Sequence, residues 1–459
     1  MRYDTIIIGA GMSGLAAGVR LAHFGAKTLI LERHDRVGGL NSYYTAGGYD
    51  LDVGLHAMTN YSPAGPKSAP MARLLRQLRL SFEDLALAPQ RTGKIVFPGV
   101  TLEFNNEFGR FAQSVRDSFP AQMDNFERLV DVIKEYDDLD LEGKAVSGRA
   151  IISSIITDPL LVDMILCPVM FYGSSWEDDM EFGQFVVVFK SMFFEGLARP
   201  EGGIRRVLGL LERRYAEAGG EMRLLSGVRR IVVENGGARG VVLDNGERIE
   251  CSAVLSSAGL PETVGICPEA EPEDAGAPAG RISLMESVNI LREPVSEVDA
   301  SVVFYNNAAR FRYRGPDEPV DVVSGVLCFP DNFDYKEPAP VGMVRVTNLA
   351  DPGFWRGADT AVYYKSKKIW RERSLEAAAW AAPDVRGDVV FSDVFTPRTI
   401  ERYTGRANGA VYGSPVKLKN GRTPVERLYL IGTDQGFLGI VGAMLSGVTI
   451  ANILMMSRR

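Results

Sequence analysis

One stretch near the start of the chain constrains the fold more than any other. Residues 3–35 read YDTIIIGAGMSGLAAGVRLAHFGAKTLILERHD. Thr5–Ile8 is β-branched and apolar, the composition of a parallel strand buried on both faces. Gly9-x-Gly11-x-x-Gly14 follows and opens a helix from Met12, whose apolar Leu15, Val19 and Ala22 recur at helical spacing and which Gly25 closes. A second buried strand, Thr28–Leu31, ends at Glu32. This strand–turn–helix–strand unit binds a dinucleotide: Gly9 allows the tight turn, Gly11 lets backbone approach a pyrophosphate, and Gly14 lets helix and strand pack closely. The helix start, with Met12 and Ser13, offers N–H groups and a positive dipole end to phosphate. Glu32 places a carboxylate where ribose hydroxyls bind and where a 2′-phosphate would be repelled.

At 459 residues the chain exceeds a single simple core, so two or three domains are expected. Its 51 basic and 58 acidic residues give a net charge of −7, which argues against a nucleic-acid partner. Cys167, Cys251, Cys267 and Cys328 show no metal-knuckle or redox spacing, and the three histidines (His23, His34, His56) all lie in the first 56 residues. Buried thiols and no metal site are expected. A structural motif begins by Asp4, which leaves no room for a targeting peptide, and no run of ~20 apolar residues is seen. The expected location is cytoplasmic, with contact at a membrane surface left open.

The next stretch, ERHDRVGGLNSYY, puts Arg33, Arg36, Gly38, Gly39, Leu40 and Asn41 directly after Glu32, and GGYDLDVGLHAM follows with Gly54, Leu55 and His56. Both resemble signatures of the FAD-dependent amine oxidase and phytoene desaturase superfamily, the second especially in its carotenoid isomerase and retinol saturase branch. The resemblance implies that the double glycine passes the cofactor's phosphates and that Gly54, Leu55 and His56 lie near the flavin. RLYLIGTDQGFLGIVGAMLSGVTIANIL, at the other end, is similar to the closing motif: a strand (Leu428–Ile431), the Gly432 turn, and a helix from about Ile440 whose N-terminus faces the flavin. Asp434 is the candidate for the ribityl-binding acid, with Thr433 where some relatives put it, and Gly439, Ile440 and Val441 are the candidate helix start. Between them, AGGEMRLLSGVRRIVVENGGARGVVLDNGERIECSAVLSSAG alternates strands around an Asn245–Gly246 turn, and Val228 matches the adenine contact.

The fold expected is α/β: a Rossmann-type, amine-oxidase-like FAD-binding domain (1–62, 198–262, 396–459) with a discontinuous α+β substrate domain. Of the latter, 63–197 is read as helical and 263–395 as sheet-containing. Phe182, Phe185, Phe189 and Phe193 repeat on one helix face, either an aromatic core or the wall of an apolar tunnel or membrane-dipping lid. TPRTIERYTGRANGAVYGS, with Thr396, Pro397, Arg402, Tyr403, Gly409, Tyr412 and Gly413, resembles a flavin-bordering loop of the desaturase branch. Arg402 and Tyr412 are its candidates to reach substrate.

The resemblance implies an enzyme that desaturates, saturates or isomerises C=C bonds of a lipophilic isoprenoid or polyene by hydride transfer at flavin N5, with quinone, oxygen or a carrier protein as electron acceptor. His34 and Leu40 stand where amine oxidases often carry arginines. That departure lowers, without removing, the alternative of an amine oxidase. A further alternative is a prenyl-binding protein of the Rab dissociation-inhibitor fold. Hydride chemistry does not demand a base, so His56 is read as a wall or hydrogen-bonding residue, with proton transfer as its second role.

Overall fold

Thr5–Ile8 is buried on both faces: its strand is paired along both edges, Ile7 packs into one apolar core, and Ile6 and Ile8 pack into another. The computed structural model that shows this describes residues 2–63, 65, 67, 69–137, 145–295, 297–337 and 341–456. The expected helical run to Leu139 and the Pro338–Pro340 turn fall partly or wholly outside the described residues.

In chain order, the strands of the two large sheets are β1 (Arg2–Ile8), β2 (Thr28–Leu31), β3 (Thr92–Phe97), β4 (Val100–Phe104), β5 (Glu221–Arg223), β6 (Val228–Glu234) and β7 (Gly237–Leu243). They continue as β8 (Arg248–Ser256), β9 (Ser283–Leu291), β10 (Ala300–Asn306), β11 (Ser324–Cys328), β12 (Gly342–Ala350), β13 (Val389–Phe395) and β14 (Leu428–Leu430). The helices that matter here are α1 (Met12–His23), α2 (Pro159–Gly173), α3 (Phe182–Phe189), α4 (Ile204–Glu217), α5 (Pro397–Thr404) and α6 (Gly439–Met456).

The first sheet runs β6–β7–β8–β1–β2–β5, and β14 also pairs with β8. Its β8, β1, β2, β5 and β14 are mutually parallel, and the β6–β7 hairpin is antiparallel. The fold is therefore α/β, with a dinucleotide-type sheet assembled from three separated pieces of chain. Helices α1 and α6 cover one face together. A Cβ on Gly447 would lie 2.1 Å from the Ser13 carbonyl oxygen, so only glycine allows this approach. Among the described residues α6 alone is long and apolar enough, by length and composition, to cross a membrane, although no such run was expected. Half of it is buried, largely against α1.

The second sheet runs β13–β9–β12–β11–β10–β3–β4. The segment 63–197, read as mainly helical, also contributes two strands to this sheet, β3 and β4. Thr92–Phe97 alternates part-exposed and buried residues, the period of a strand. One edge forms a hairpin with β4, and the other pairs in parallel with β10, far along the chain, a pairing of which local composition held no sign.

The phenylalanine face is core. Phe182, Phe185, Phe189 and Phe193 are all buried among Phe104, Phe111 and Phe126, and Phe111 stacks on Phe193 at 4.3 Å. The single helix expected there changes to a π-helical turn at Lys190–Phe194. All four cysteines are free and buried.

Candidate active site

The Gly9–Gly14 turn opens a cleft of about 480 Å³ that runs from the edge of the first sheet to the face of the second. A Cβ on Gly14 would sit 2.0 Å from the Gly9 carbonyl oxygen, whereas one on Gly11 would meet nothing nearer than the Gly38 carbonyl oxygen at 4.0 Å. Gly14 is thus required by packing, and Gly11 keeps a space open. No side chain caps α1 and no acid lies in its first turn, so its positive end is available to an anion. Gly38 and Gly39 run beside Gly11, both at positive φ. Glu32 accepts from the Ala10 N–H at 2.8 Å through Oε2 and from the His34 N–H at 2.8 Å through Oε1. Glu32, Arg33, Val228 and Asp244 border the same end, with Leu40, Asn41 and Gly54 further along.

The far end is built on one register row of the second sheet. Phe395 pairs with Glu286, Glu286 with Thr347, and Thr347 with Val326, so the four stand side by side on one face. All four line the cleft, as do Leu284, Phe171, Tyr172, Val411 and Tyr412. His56 closes over this row, its Nε2 2.9 Å from Thr347 Oγ1 and 3.7 Å from Glu286 Oε2.

Two buried ion pairs hold that arrangement. Arg199 donates to Asp52 Oδ2 at 2.5 Å and to the carbonyls of Leu55 and His56 at 2.6 and 2.9 Å. Arg345, fully buried, donates from Nε to Glu286 Oε1 and from Nη1 to the Leu55 carbonyl at 3.0 Å. Burial pushes the His56 imidazole down to about 4 against the pull of Glu286, with Arg345 and Arg199 adding to the depression. Burial opposes ionisation of Glu286, but Arg345, His56 and Arg199 outweigh it and hold the carboxyl below its ordinary range. Near neutral pH the row therefore presents a neutral imidazole and an ionised, arginine-clamped carboxylate.

The family described as "Flavin containing amine oxidoreductase" matches residues 12–291. The chain belongs to the flavin containing amine oxidoreductase family. It is 24% identical to a chloroplastic prolycopene isomerase of Daucus carota over 98% of this chain and 79% of that protein. It is 21% identical to an all-trans-retinol 13,14-reductase of Danio rerio over 98% and 86%. A crystal structure of an oxidoreductase from Methanosarcina mazei superposes with a TM-score of 0.71 at 18% identity, covering 98% of this chain and 100% of that one. The cofactor of this oxidoreductase is FAD. The uncapped α1 terminus, the space beside Gly11 and the open side of Gly439, whose added Cβ would meet no atom within 4 Å, fit it.

The flavoenzyme's cleft gathers most of the residues singled out in its sequence: Gly9, Gly11, Met12, Ser13, Glu32, Arg33, Gly38, Gly39, Leu40, Asn41, Gly54, His56, Val228, Tyr412, Gly432, Thr433, Gly439 and Ile440. It leaves out five. Gly14 is taken up in packing, Val441 and Leu55 are buried in the core that contains α1 and α6, and the Leu55 carbonyl accepts from Arg199 and Arg345. Asp434 does not border the cleft. Its Oδ2 accepts from the Leu260 N–H at 2.6 Å, and its Oδ1 from the Ser414 N–H at 2.9 Å and Lys417 Nζ at 3.2 Å. With those contacts both oxygens are engaged within the protein, and Thr433 is the neighbour that lines the cleft. Arg402 is exposed on α5, its guanidinium 5.3 Å from the Tyr403 ring, and does not reach the cleft.

Tyr412 reaches it, but its hydroxyl donates to the Phe171 carbonyl, and burial raises its pKa so that it stays un-ionised. Gly413 is geometric: a Cβ there would lie 1.9 Å from Asp434 Oδ1. Sequence reasoning missed Glu286, Thr347, Tyr172, Arg199 and Arg345. A signal existed in SLMESVNIL and GMVRVTNLA, where one charged residue interrupts each strongly apolar strand.

Proposed function

We propose that this FAD-dependent oxidoreductase desaturates, saturates or isomerises C=C bonds of a lipophilic isoprenoid or polyene. The observation that carries the reading is the makeup of the far end of the cleft. Ala57, Phe171, Leu284, Val326, Phe395 and Val411 supply apolar wall, and the one carboxylate among them is already matched by Arg345. Bound FAD supplies the acceptor or donor of a hydride. The protein supplies a dry slot and an orientation for an extended apolar chain. His56, neutral and tied to Thr347, adds no charge to that slot. The named relatives, a prolycopene isomerase and a retinol reductase, act on polyenes and support the same reading.

Incubation of the yellow purified protein with polyene alcohols and hydrocarbons tests it, with the polyene absorption band as readout. A shifted band, and no peroxide on addition of a diamine, is the expected outcome. Peroxide from the diamine with unchanged polyene bands would overturn the proposal in favour of an amine oxidase.

A further inference from the structure

We propose that Glu286 faces the positive charge that develops on the substrate and exchanges the proton that the reaction moves. This rests on the polyene reading above and assigns a residue to its proton step.

The geometry gives Glu286 two unlike oxygens. Oε1 is clamped by Arg345 Nε, and Arg345 is itself fixed to the Leu55 carbonyl and does not border the cleft. Oε2 makes no hydrogen bond among the described residues. His56 Nε2 stands 3.7 Å from it, beyond hydrogen-bond length. Because Glu286 stands in the cleft-lining row between Phe395 and Thr347, an occupant of the far end meets a carboxylate first, with the guanidinium behind it. At that end the other lining groups, His56, Thr347, Tyr172, Tyr412 and apolar side chains, are neutral. A negative charge kept in apolar surroundings is costly unless it is paired, and Arg345 provides the pairing. What the pair then offers the cleft is one unbonded carboxylate oxygen.

Polyene chemistry has a use for such an oxygen. In desaturation, one C–H bond would break with its electron pair leaving as hydride, for which FAD would be the acceptor when bound, and the substrate would become an allylic cation. The adjacent C–H bond then breaks, its electron pair becomes the new π bond, and its proton goes to Glu286 Oε2. The substrate loses two hydrogens, the cofactor gains a hydride and Glu286 gains a proton. A carbon next to a cation is strongly acidic, so a carboxylate with a depressed pKa is basic enough.

The test compares two ligands on the holoprotein, read by perturbation of flavin absorbance rather than by turnover. One is a polyene carrying a quaternary ammonium within the chain, and the other is its neutral carbon isostere. The wild type is expected to bind the cation about tenfold tighter or more. Glu286→Gln, which keeps the length and can still accept from Arg345, should lose that preference, bind the neutral ligand within about twofold, and retain FAD. Glu286→Asp should restore part of it. Equal weakening of both ligands in Glu286→Gln, or no cation preference in the wild type, overturns the proposal and leaves the polyene reading intact. If the wild type binds neither ligand, the polyene reading fails and this proposal fails with it. Tight binding of a short diamine lacking the polyene also overturns it, because the carboxylate would then serve an amine.

Discussion

Gly11 and Gly14 stand three residues apart in one turn, and their replacement by alanine should fail in opposite ways. At Gly14 the added methyl would lie 2.0 Å from the Gly9 carbonyl oxygen and 3.1 Å from its carbon. Neither can give way cheaply: Gly9 is held by its N–H to the Leu31 carbonyl at 2.8 Å, and Ser257 Oγ crowds its other side. Overpacking usually costs about 1–3 kcal/mol, and against fixed backbone Gly14→Ala should reach about 3 kcal/mol or more in the FAD-free protein. Gly11 has φ −71° and ψ 178°, which alanine adopts without strain, and its methyl would enter open space. Gly11→Ala should therefore leave the FAD-free protein as stable as wild type or about 0.4–1 kcal/mol more stable, because the unfolded chain loses freedom. The same methyl would occupy the approach to the pyrophosphate, so FAD affinity should fall about tenfold or more. Urea denaturation of both apoproteins and fluorescence titration with FAD measure the two effects separately. Wild-type FAD affinity in Gly11→Ala would refute the reasoning, as would wild-type apoprotein stability in Gly14→Ala.

Other outcomes follow from the same structure. Asp52→Leu leaves Arg199 buried without its counter-charge and should cost about 3–5 kcal/mol, much of it recovered in the double variant with Arg199→Met; purely additive losses in a double-mutant cycle would contradict the coupling. His56 takes its proton near pH 4 when folded and near 6.5 when unfolded, so the unfolded chain binds more protons between those values. Stability should drop as pH falls through that window, by up to about 3 kcal/mol, and His56→Gln should flatten the dependence; an unchanged slope of the urea midpoint between pH 5 and 7 speaks against it. Phe189→Ala should cost about 3–5 kcal/mol and leave the spectrum of bound flavin unchanged, since Phe189 packs on Phe185 and Phe193 away from the cleft; a shifted flavin band would place that face at the site after all.

The cofactor half of the site was legible because its physics is local. A buried strand, a glycine turn, a helix start and Glu32 lie within 30 residues, and burial, close backbone packing and the approach of a phosphate explain their types. The substrate half was not, because it depends on pairings between distant strands. Glu286 and Arg345 become partners only when β9 and β12 align, and His56 acquires its neighbours only when its loop crosses β12. Asp434 shows the limit of a motif: the acid stands where an acid was expected, but contacts at Leu260, Ser414 and Lys417 take up its oxygens. Arg402 shows another, since a residue on a loop bordering the cleft can face outward, and here it lies on the exposed side of α5. The aromatic face at Phe182–Phe193 had two readings in sequence, and packing against Phe104 and Phe111 selected the core.

Extraction and mass spectrometry of the lipids that co-purify with the protein, alongside its flavin spectrum, test the central claim most directly. The account predicts a yellow protein carrying an isoprenoid or other polyene. It also predicts that Leu284→Arg, which puts a second charge into the apolar wall beside Glu286, abolishes the lipid while the flavin stays bound. A yellow protein that carries no lipophilic molecule and binds a polar amine in its place would contradict it.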